Sequence, residues 1–204
     1  MRIGIDFDNT IVSYDHLFHK VALEKGLIPE SSAQNKISVR NYLREQNKEF
    51  EWTLLQGEVY GPKITDAAPC KGVIEFIKTA QSKKHEIFII SHRTKFPFLG
   101  PKYDLHKAAQ NWLDKFLVMH DIDLALKSNA FFELTKEDKI SRISYLNCDV
   151  FIDDLPEILD MEGFLNKTNR ILYDPENKYN PTRSQHVVMK SWNSIQNYCF
   201  DGYL

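Results

Sequence analysis

The chain has 204 residues with a formal net charge of −2, and 43% of its residues are hydrophobic and 26% charged. This length suits one domain, or one domain with a modest insertion, that buries its own core. The near balance of charge argues against a nucleic-acid polymer or a membrane surface as partner.

The first predicted strand, residues 2–7, is short and apolar and ends in carboxylates. Helical patterns follow at 15–25, 38–46 and 52–60, and Gly61 with Pro62 ends this stretch. We therefore predict a small helical cap at 14–66, inserted after the first strand. Residues 1–13 and 67–204 would then form a Rossmann-like catalytic core.

From residue 70 onward, predicted helices alternate with apolar strands. Helices are expected at 72–83, 104–120, 135–146, 156–165 and 192–200, and strands at 86–91, 128–134, 149–154, 170–174 and 186–190. Thr135 and Asp138 form a possible capping box for the third of these helices. This alternation predicts an α/β fold, with a parallel sheet and helices on both faces.

Two general expectations follow from the whole chain. The cysteines are odd in number, far apart and form no CxxC pair, which predicts reduced and mostly buried thiols; they are Cys70, Cys148 and Cys199. No apolar segment is typical of a signal peptide or a membrane span. We expect a cytoplasmic protein.

Polar side chains close three of the predicted strands, at the edge where open parallel sheets bind ligands. They are Asp6, Asp8 and Thr10 after the first strand, Ser91, His92 and Arg93 after the second, and Asp153 and Asp154 at the end of the fourth. Residues about 145 positions apart in the chain are thus expected to lie close together.

The carboxylates at this edge favour a metal site. Asp6 and Asp8 point the same way along an extended strand, and two like charges so close are costly without a counter-ion. Oxygen ligands of this kind suit Mg²⁺, to which Asp153 and Asp154 would add further ligands.

These residues resemble the motifs of the haloacid dehalogenase superfamily of phosphohydrolases. The sequence DFDNT at 6–10 is similar to the first motif, Ser91 stands in the place of the second, and FIDD at 151–154 is similar to the fourth. Lys139, within EDKISRI, resembles the lysine of the third motif, although Lys136 lies one helical turn before it. The helical insertion resembles the cap of this family.

The resemblance implies a role for each residue. Asp6 would attack phosphorus and form an aspartyl phosphate. Asp8 would protonate the leaving oxygen, then activate water, and would also touch the metal through its carbonyl. The implied metal set is Asp6, Asp8, Asp153 and Asp154, and the implied phosphate-binding set is Asn9, Ser91, His92 and Lys139. Thr10 would orient the loop around Asp8.

Several alternatives stay open at this point. His92 and Arg93 could bind a phosphate or belong to a solvated loop, and the cap residues Arg40, Arg44, Trp52 and Tyr60 could contact substrate or serve the core. The expected substrate is a small phosphorylated metabolite, either a sugar phosphate or a nucleoside monophosphate. Residues 107–154 are also similar to the 5′-nucleotidase branch. A phosphomutase-type transfer, or a non-catalytic binding module, are the alternative functions.

Overall fold

The computed structural model of the protein describes residues 1–179 and 185–202, and it confirms the predicted α/β class. Six parallel strands form one sheet in the order β5-β4-β1-β6-β7-β8, and β2 pairs with β3 in a separate antiparallel ribbon. In chain order the strands are β1 (Arg2–Ile5), β2 (Val12–Ser13), β3 (Ala68–Pro69), β4 (Glu86–His92), β5 (Ala130–Glu133), β6 (Val150–Asp153), β7 (Asn169–Tyr173) and β8 (Val187–Met189).

The α-helices in the described part of the chain follow the predicted pattern closely. They are α1 (Asp15–Glu24), α2 (Lys36–Glu45), α3 (Glu49–Tyr60), α4 (Val73–Ser82), α5 (Leu105–Met119), α6 (Lys136–Tyr145), α7 (Pro156–Leu159) and α8 (Trp192–Phe200). The Thr135 side chain accepts a hydrogen bond from the backbone N–H of Asp138, as the capping pattern predicts.

Several predicted boundaries are wrong, and two of them have a clear local cause. The helix expected at 156–165 ends at Leu159, and the chain then turns through Gly163, whose φ of +101° is incompatible with a continuing helix. The strand expected at 128–134 begins only at Ala130, because 124–129 forms a short 3₁₀ helix. That helix starts where the Asp123 side chain accepts the backbone N–H of Ala125.

Strand β1 lies at the centre of the sheet and is buried on both faces. Ile5 is in register with Ile89 of β4 on one side and Ile152 of β6 on the other. A Cβ added to Gly4 would lie 2.7 Å from the Phe151 ring, so β1 requires glycine there. This register brings the carboxyl ends of three strands to one place.

Helices α1, α2 and α3 pack on one another, with Phe18 and Trp52 in their core, 5.0 Å apart between ring centres. The chain leaves for this segment after β2 and returns through β3, so both connections lie side by side in the ribbon. The division into a core and a cap at 14–66 stays our prediction. All three cysteines are buried and free, and no helix among the described residues is long and apolar enough to cross a membrane.

Candidate active site

The centre of the site is a buried lysine between two carboxylates. Lys139 Nζ lies 2.5 Å from Asp6 Oδ1 and 2.6 Å from Asp153 Oδ2, and all three side chains are buried. Asp6 follows β1, Asp153 ends β6 and Lys139 lies in the first turn of α6. Lys136 instead lies on the surface, 3.8 Å from Glu157. Lys139 is therefore the lysine that reaches the carboxylates.

This centre carries more negative than positive charge. Carboxylate oxygens of Asp6, Asp153 and Asp154 lie within 4.8 Å of one another. Burial raises the pKa of Asp6 to about 7, and the charges of Asp153 and Asp8 add to this effect while Lys139 opposes it. Burial also raises the pKa of Asp154 well above its usual value. Three carboxylates around one ammonium group leave two negative charges, so the donor set fits a divalent cation with oxygen ligands.

Asp8 lies apart from that group, and its charge is neutralised in a different way. Asp8 Oδ1 accepts hydrogen bonds of 2.5 Å from both Arg93 Nη1 and the Tyr14 hydroxyl. Among the described residues, the carboxylates close enough to share one ion are those of Asp6, Asp153 and Asp154, without Asp8. Arg93 thus offsets the side-chain charge of Asp8, and the place of Asp8 in the metal set stays a prediction. Contact of the Asp8 carbonyl with a metal stays a prediction.

Arg93 is a buried cross-link and not part of a solvated loop, and it also lines the pocket at Asp6. Besides Asp8, its guanidinium donates to the carbonyl of Leu105 at 3.2 Å and to the carbonyl of Tyr60 at 2.8 Å. It therefore joins the end of β4 to the first residue of α5 and to the last residue of α3. Arginine suits this role because its planar fork donates in several fixed directions.

The loop after β1 is held mainly by its backbone. Asn9 has φ +56°, a left-handed conformation that asparagine tolerates, as the sequence suggested. The Thr10 hydroxyl is buried without a hydrogen-bond partner in the described structure, so it does not orient the loop in the predicted way. The Thr10 carbonyl instead accepts a hydrogen bond from Trp192 Nε1 at 3.2 Å.

The predicted phosphate-binding residues surround one pocket. Asn9, Ser91, His92 and Lys139 line a cavity of about 290 Å³ together with Asp6 and Asp8. Burial and the nearby Lys139 lower the pKa of His92, which favours a neutral imidazole. The roles of these residues stay predictions.

Only some of the cap candidates lie near the pocket. Trp52 lies in the core, and Arg44 is exposed and binds Glu49 at 2.6 Å, so neither lines the pocket. Tyr60 does line it, and so does Lys36, which the sequence analysis missed. The helix was expected to begin at residue 38, but Asn35 accepts the backbone N–H of Ser38 and α2 begins at Lys36.

A second and larger cavity, of about 490 Å³, adjoins the first. The two share Asn9, Lys36, Asp154 and Leu155 in their walls. The larger cavity extends from there between α2, the segment after β3 and the segment after β7.

No family model matches the chain, but two curated proteins do, and both are named "Putative nucleotidase". One, from Oceanobacillus iheyensis, is 27% identical over 204 residues, which span 96% of this chain and 97% of that protein. The other, from Bacillus cereus, is 23% identical over 167 residues, which span 78% of this chain and 79% of that protein.

Solved structures share the fold over almost the whole chain. A HAD-superfamily hydrolase from Ehrlichia chaffeensis has a TM-score of 0.57 at 13% identity, with 100% of this chain and 97% of that chain covered. A HAD family hydrolase from Deinococcus radiodurans, with bound phosphate and sodium, has a TM-score of 0.54 at 12% identity, with 98% and 95% covered. The fold expected from the motifs, that of haloacid dehalogenase superfamily hydrolases, is therefore confirmed. The expectation of a phosphatase-type enzyme agrees with the names of the curated relatives.

Proposed function

We propose that this protein is a Mg²⁺-dependent phosphomonoesterase that acts through an aspartyl phosphate on Asp6. The observation that carries the proposal is the placement of Asp6 beside Lys139 and the acidic pair, with Asp8 held separately at the same pocket. A nucleophile, a separate acid–base group and a charged phosphoryl pocket are the parts that phosphoryl transfer needs.

In the first step, an Asp6 oxygen bonds to phosphorus while the bond from phosphorus to the alcohol oxygen breaks. Asp8 gives its proton to that oxygen, and the alcohol leaves. In the second step, a water molecule gives a proton to Asp8 and attacks phosphorus, which releases inorganic phosphate and frees Asp6. Both contacts to Asp8 use Oδ1, so we assign the proton transfers to Oδ2.

Lys139 keeps Asp6 available for attack. Although burial opposes it, the carboxylates of Asp153 and Asp6 raise the pKa of Lys139 above its usual range, so the ammonium group stays charged. Asp6, Asp153 and Asp154 would hold the Mg²⁺ ion, which when bound would offset the negative charge of the phosphoryl oxygens. Ser91 and His92 line the same pocket and would position those oxygens.

A nucleoside monophosphate is the first substrate class to test, since the two curated relatives carry nucleotidase names. A sugar phosphate is the second class. A non-catalytic binding module would not need Asp8 held at the pocket by two hydrogen bonds, which argues against that alternative. Transfer between two positions of one substrate, as in a mutase, would give product without free phosphate.

The test is release of phosphate from a panel of nucleoside monophosphates, sugar phosphates and an aryl phosphate, with Mg²⁺ and with EDTA. Asp6→Asn should abolish turnover, because it removes the attacking charge at nearly constant volume. Asp121→Asn is the matched control, since Asp121 is exposed and belongs to a second DxD sequence away from the site. Turnover by folded Asp6→Asn protein would refute the assignment of the nucleophile.

A further inference from the structure

The pocket at Asp6, of about 290 Å³, lies at the lower end of the volumes of ligand sites, and the larger cavity continues from it. Lys36 and Asp154 lie in the wall that the two cavities share. If the proposed function is correct, the alcohol part of the substrate extends past these residues. The charges that line the larger cavity then determine which alcohol part is favoured.

The carboxylates of the larger cavity already have partners. Asp174 accepts the backbone N–H groups of Lys178 and Tyr179, at 2.9 and 3.0 Å. Asp15 accepts the backbone N–H of Lys36 at 2.9 Å, and Glu176 pairs with the Lys178 ammonium group at 3.2 Å. Asp154 belongs to the proposed metal set. None of these contacts is made with the side chain of Lys36, Arg40 or Lys71.

Three cations in the same wall have no carboxylate within 4 Å in the described parts of the chain: Lys36, Arg40 and Lys71. The Arg40 guanidinium donates to the side chain of the neighbouring Asn41, at 3.1 and 3.2 Å. Lys36 and Arg40 are four residues apart and so lie on one face of α2.

Lys36 is the most confined of these cations. Its Nζ lies 5.6 Å from the centre of the Tyr60 ring and 5.7 Å from that of Phe18. Burial lowers its pKa, but Tyr60 and the carboxylates of Asp8 and Asp154 outweigh burial and raise it, so the amine stays charged. The ammonium group has no carboxylate in direct contact among the described residues, so it can bind an anionic ligand in the cavity.

We propose that the favoured substrate is a phosphomonoester whose alcohol part carries a second anionic group, a phosphate or a carboxylate. Lys36, Arg40 and Lys71 bind that group in the larger cavity. This inference rests on the proposed function for its placement of the first phosphate. It adds a substrate class that the nucleotidase names of the relatives do not specify.

The first experiment measures kcat/KM for matched pairs that differ by one anionic group. Adenosine 3′,5′-bisphosphate is compared with adenosine 5′-monophosphate, and 3-phosphoglycerate with glycerol 3-phosphate. We expect kcat/KM to be at least about tenfold higher for the more anionic member of one pair, which corresponds to about 1.4 kcal/mol. The pair that shows the preference tells whether the second group is phosphate or carboxylate.

Variants then assign the preference to the three cations. The ratio of kcat/KM within the preferred pair should fall about tenfold in Lys36→Met. It should fall about as much in the double variant Arg40→Met with Lys71→Met. Lys36→Arg keeps the positive charge and should keep most of the ratio. Arg44→Met is the control, because Arg44 is exposed on the same helix, pairs with Glu49 and should leave the ratio unchanged. The ratio should also fall as salt is added.

Failure of the two proposals can be distinguished. Suppose that the protein hydrolyses an aryl phosphate and needs Asp6 to do so. Equal kcat/KM within both pairs would then overturn the proposal of a second anionic group and leave the proposed phosphatase function intact. If no phosphomonoester is hydrolysed, calorimetry with adenosine 3′-monophosphate and with adenosine still tests the cation site. Equal binding of these two, or binding unchanged in Lys36→Met, would refute it.

Discussion

Arg93→Met tests whether this arginine positions Asp8 for acid–base chemistry. The substitution keeps the length and apolar packing of the stem but removes the guanidinium. Asp8 Oδ1 would lose one of its two hydrogen bonds, and the carbonyls of Leu105 and Tyr60 would lose a donor. Asp8 would then be free to turn away from the pocket.

The size of the effect follows from these contacts. Breaking a buried ion pair costs about 3–5 kcal/mol, and because the Asp8 side chain is 26% exposed we expect a value near the lower end, about 3 kcal/mol. For a chain of this length, that corresponds to a fall in Tm of roughly 6–12 °C. A positioned general acid contributes about 10²–10⁴-fold to rate, so loss of positioning should cost about 10²-fold where the acid is needed.

The assay compares leaving groups. An alkyl phosphate needs a proton on its leaving oxygen, whereas an aryl phosphate with a good leaving group needs it much less. We expect kcat to fall about 10²-fold for the alkyl phosphate and less than about tenfold for the aryl phosphate in Arg93→Met. Tyr14→Phe removes the other bond to Asp8 Oδ1 and should give a smaller difference of the same kind. Equal losses for both substrates, at a temperature where the variant is folded, would show that Arg93 only supports the fold.

The remaining predictions concern the intermediate, the metal and pH. Asp8→Asn should accumulate phospho-Asp6 with an aryl phosphate, seen as a burst and as one added phosphoryl group by intact-mass spectrometry; unaltered steady turnover would assign the acid–base role elsewhere. Mg²⁺ should restore activity after EDTA, and Ca²⁺ should do so poorly because its larger and looser shell would misplace Asp6; full activity after exhaustive chelation would contradict the metal site. In metal-free protein, burial raises the pKa of Asp6 from 3.8 to about 7, so the folded state binds a proton that the unfolded chain releases above about pH 4. The Tm without metal should therefore fall as pH rises from about 4 to 7, and Asp6→Asn should make this dependence of Tm on pH weaker. Mg²⁺ should stabilise the protein more at pH 7 than at pH 5. A Tm that rises over this range in EDTA would contradict the raised pKa of Asp6.

Local patterns were enough to predict the elements that place the site. Asp6 and Asp153 are expected to lie together because each ends an apolar run, and parallel strands present their carboxyl ends at one edge. Lys139 is found from its spacing to the fourth motif. In each case the information lies in a few adjacent residues and in the period of the hydrophobic pattern.

The partners of the site could not be predicted in this way. Arg93 follows a strand like many solvated arginines, and its role depends on carbonyls of Tyr60 and Leu105 that only the folded chain brings near. Lys36 was missed because the cap of α2 at Asn35 moves the helix start by two residues. Such partnerships are set by tertiary packing, which a single sequence does not record.

The central position of β1 has a consequence for synthesis. Both neighbours of β1 come from far along the chain, at 86–89 and at 150–152. Ribosomes add about 5–20 residues per second, so the 147 residues from Ile5 to Ile152 take roughly 7–30 s to make. Until then the nascent chain carries an apolar strand without its full set of neighbours, which exposes it to mispairing. Over the same interval Asp153 is absent, so the proposed active site is incomplete until β6 has emerged.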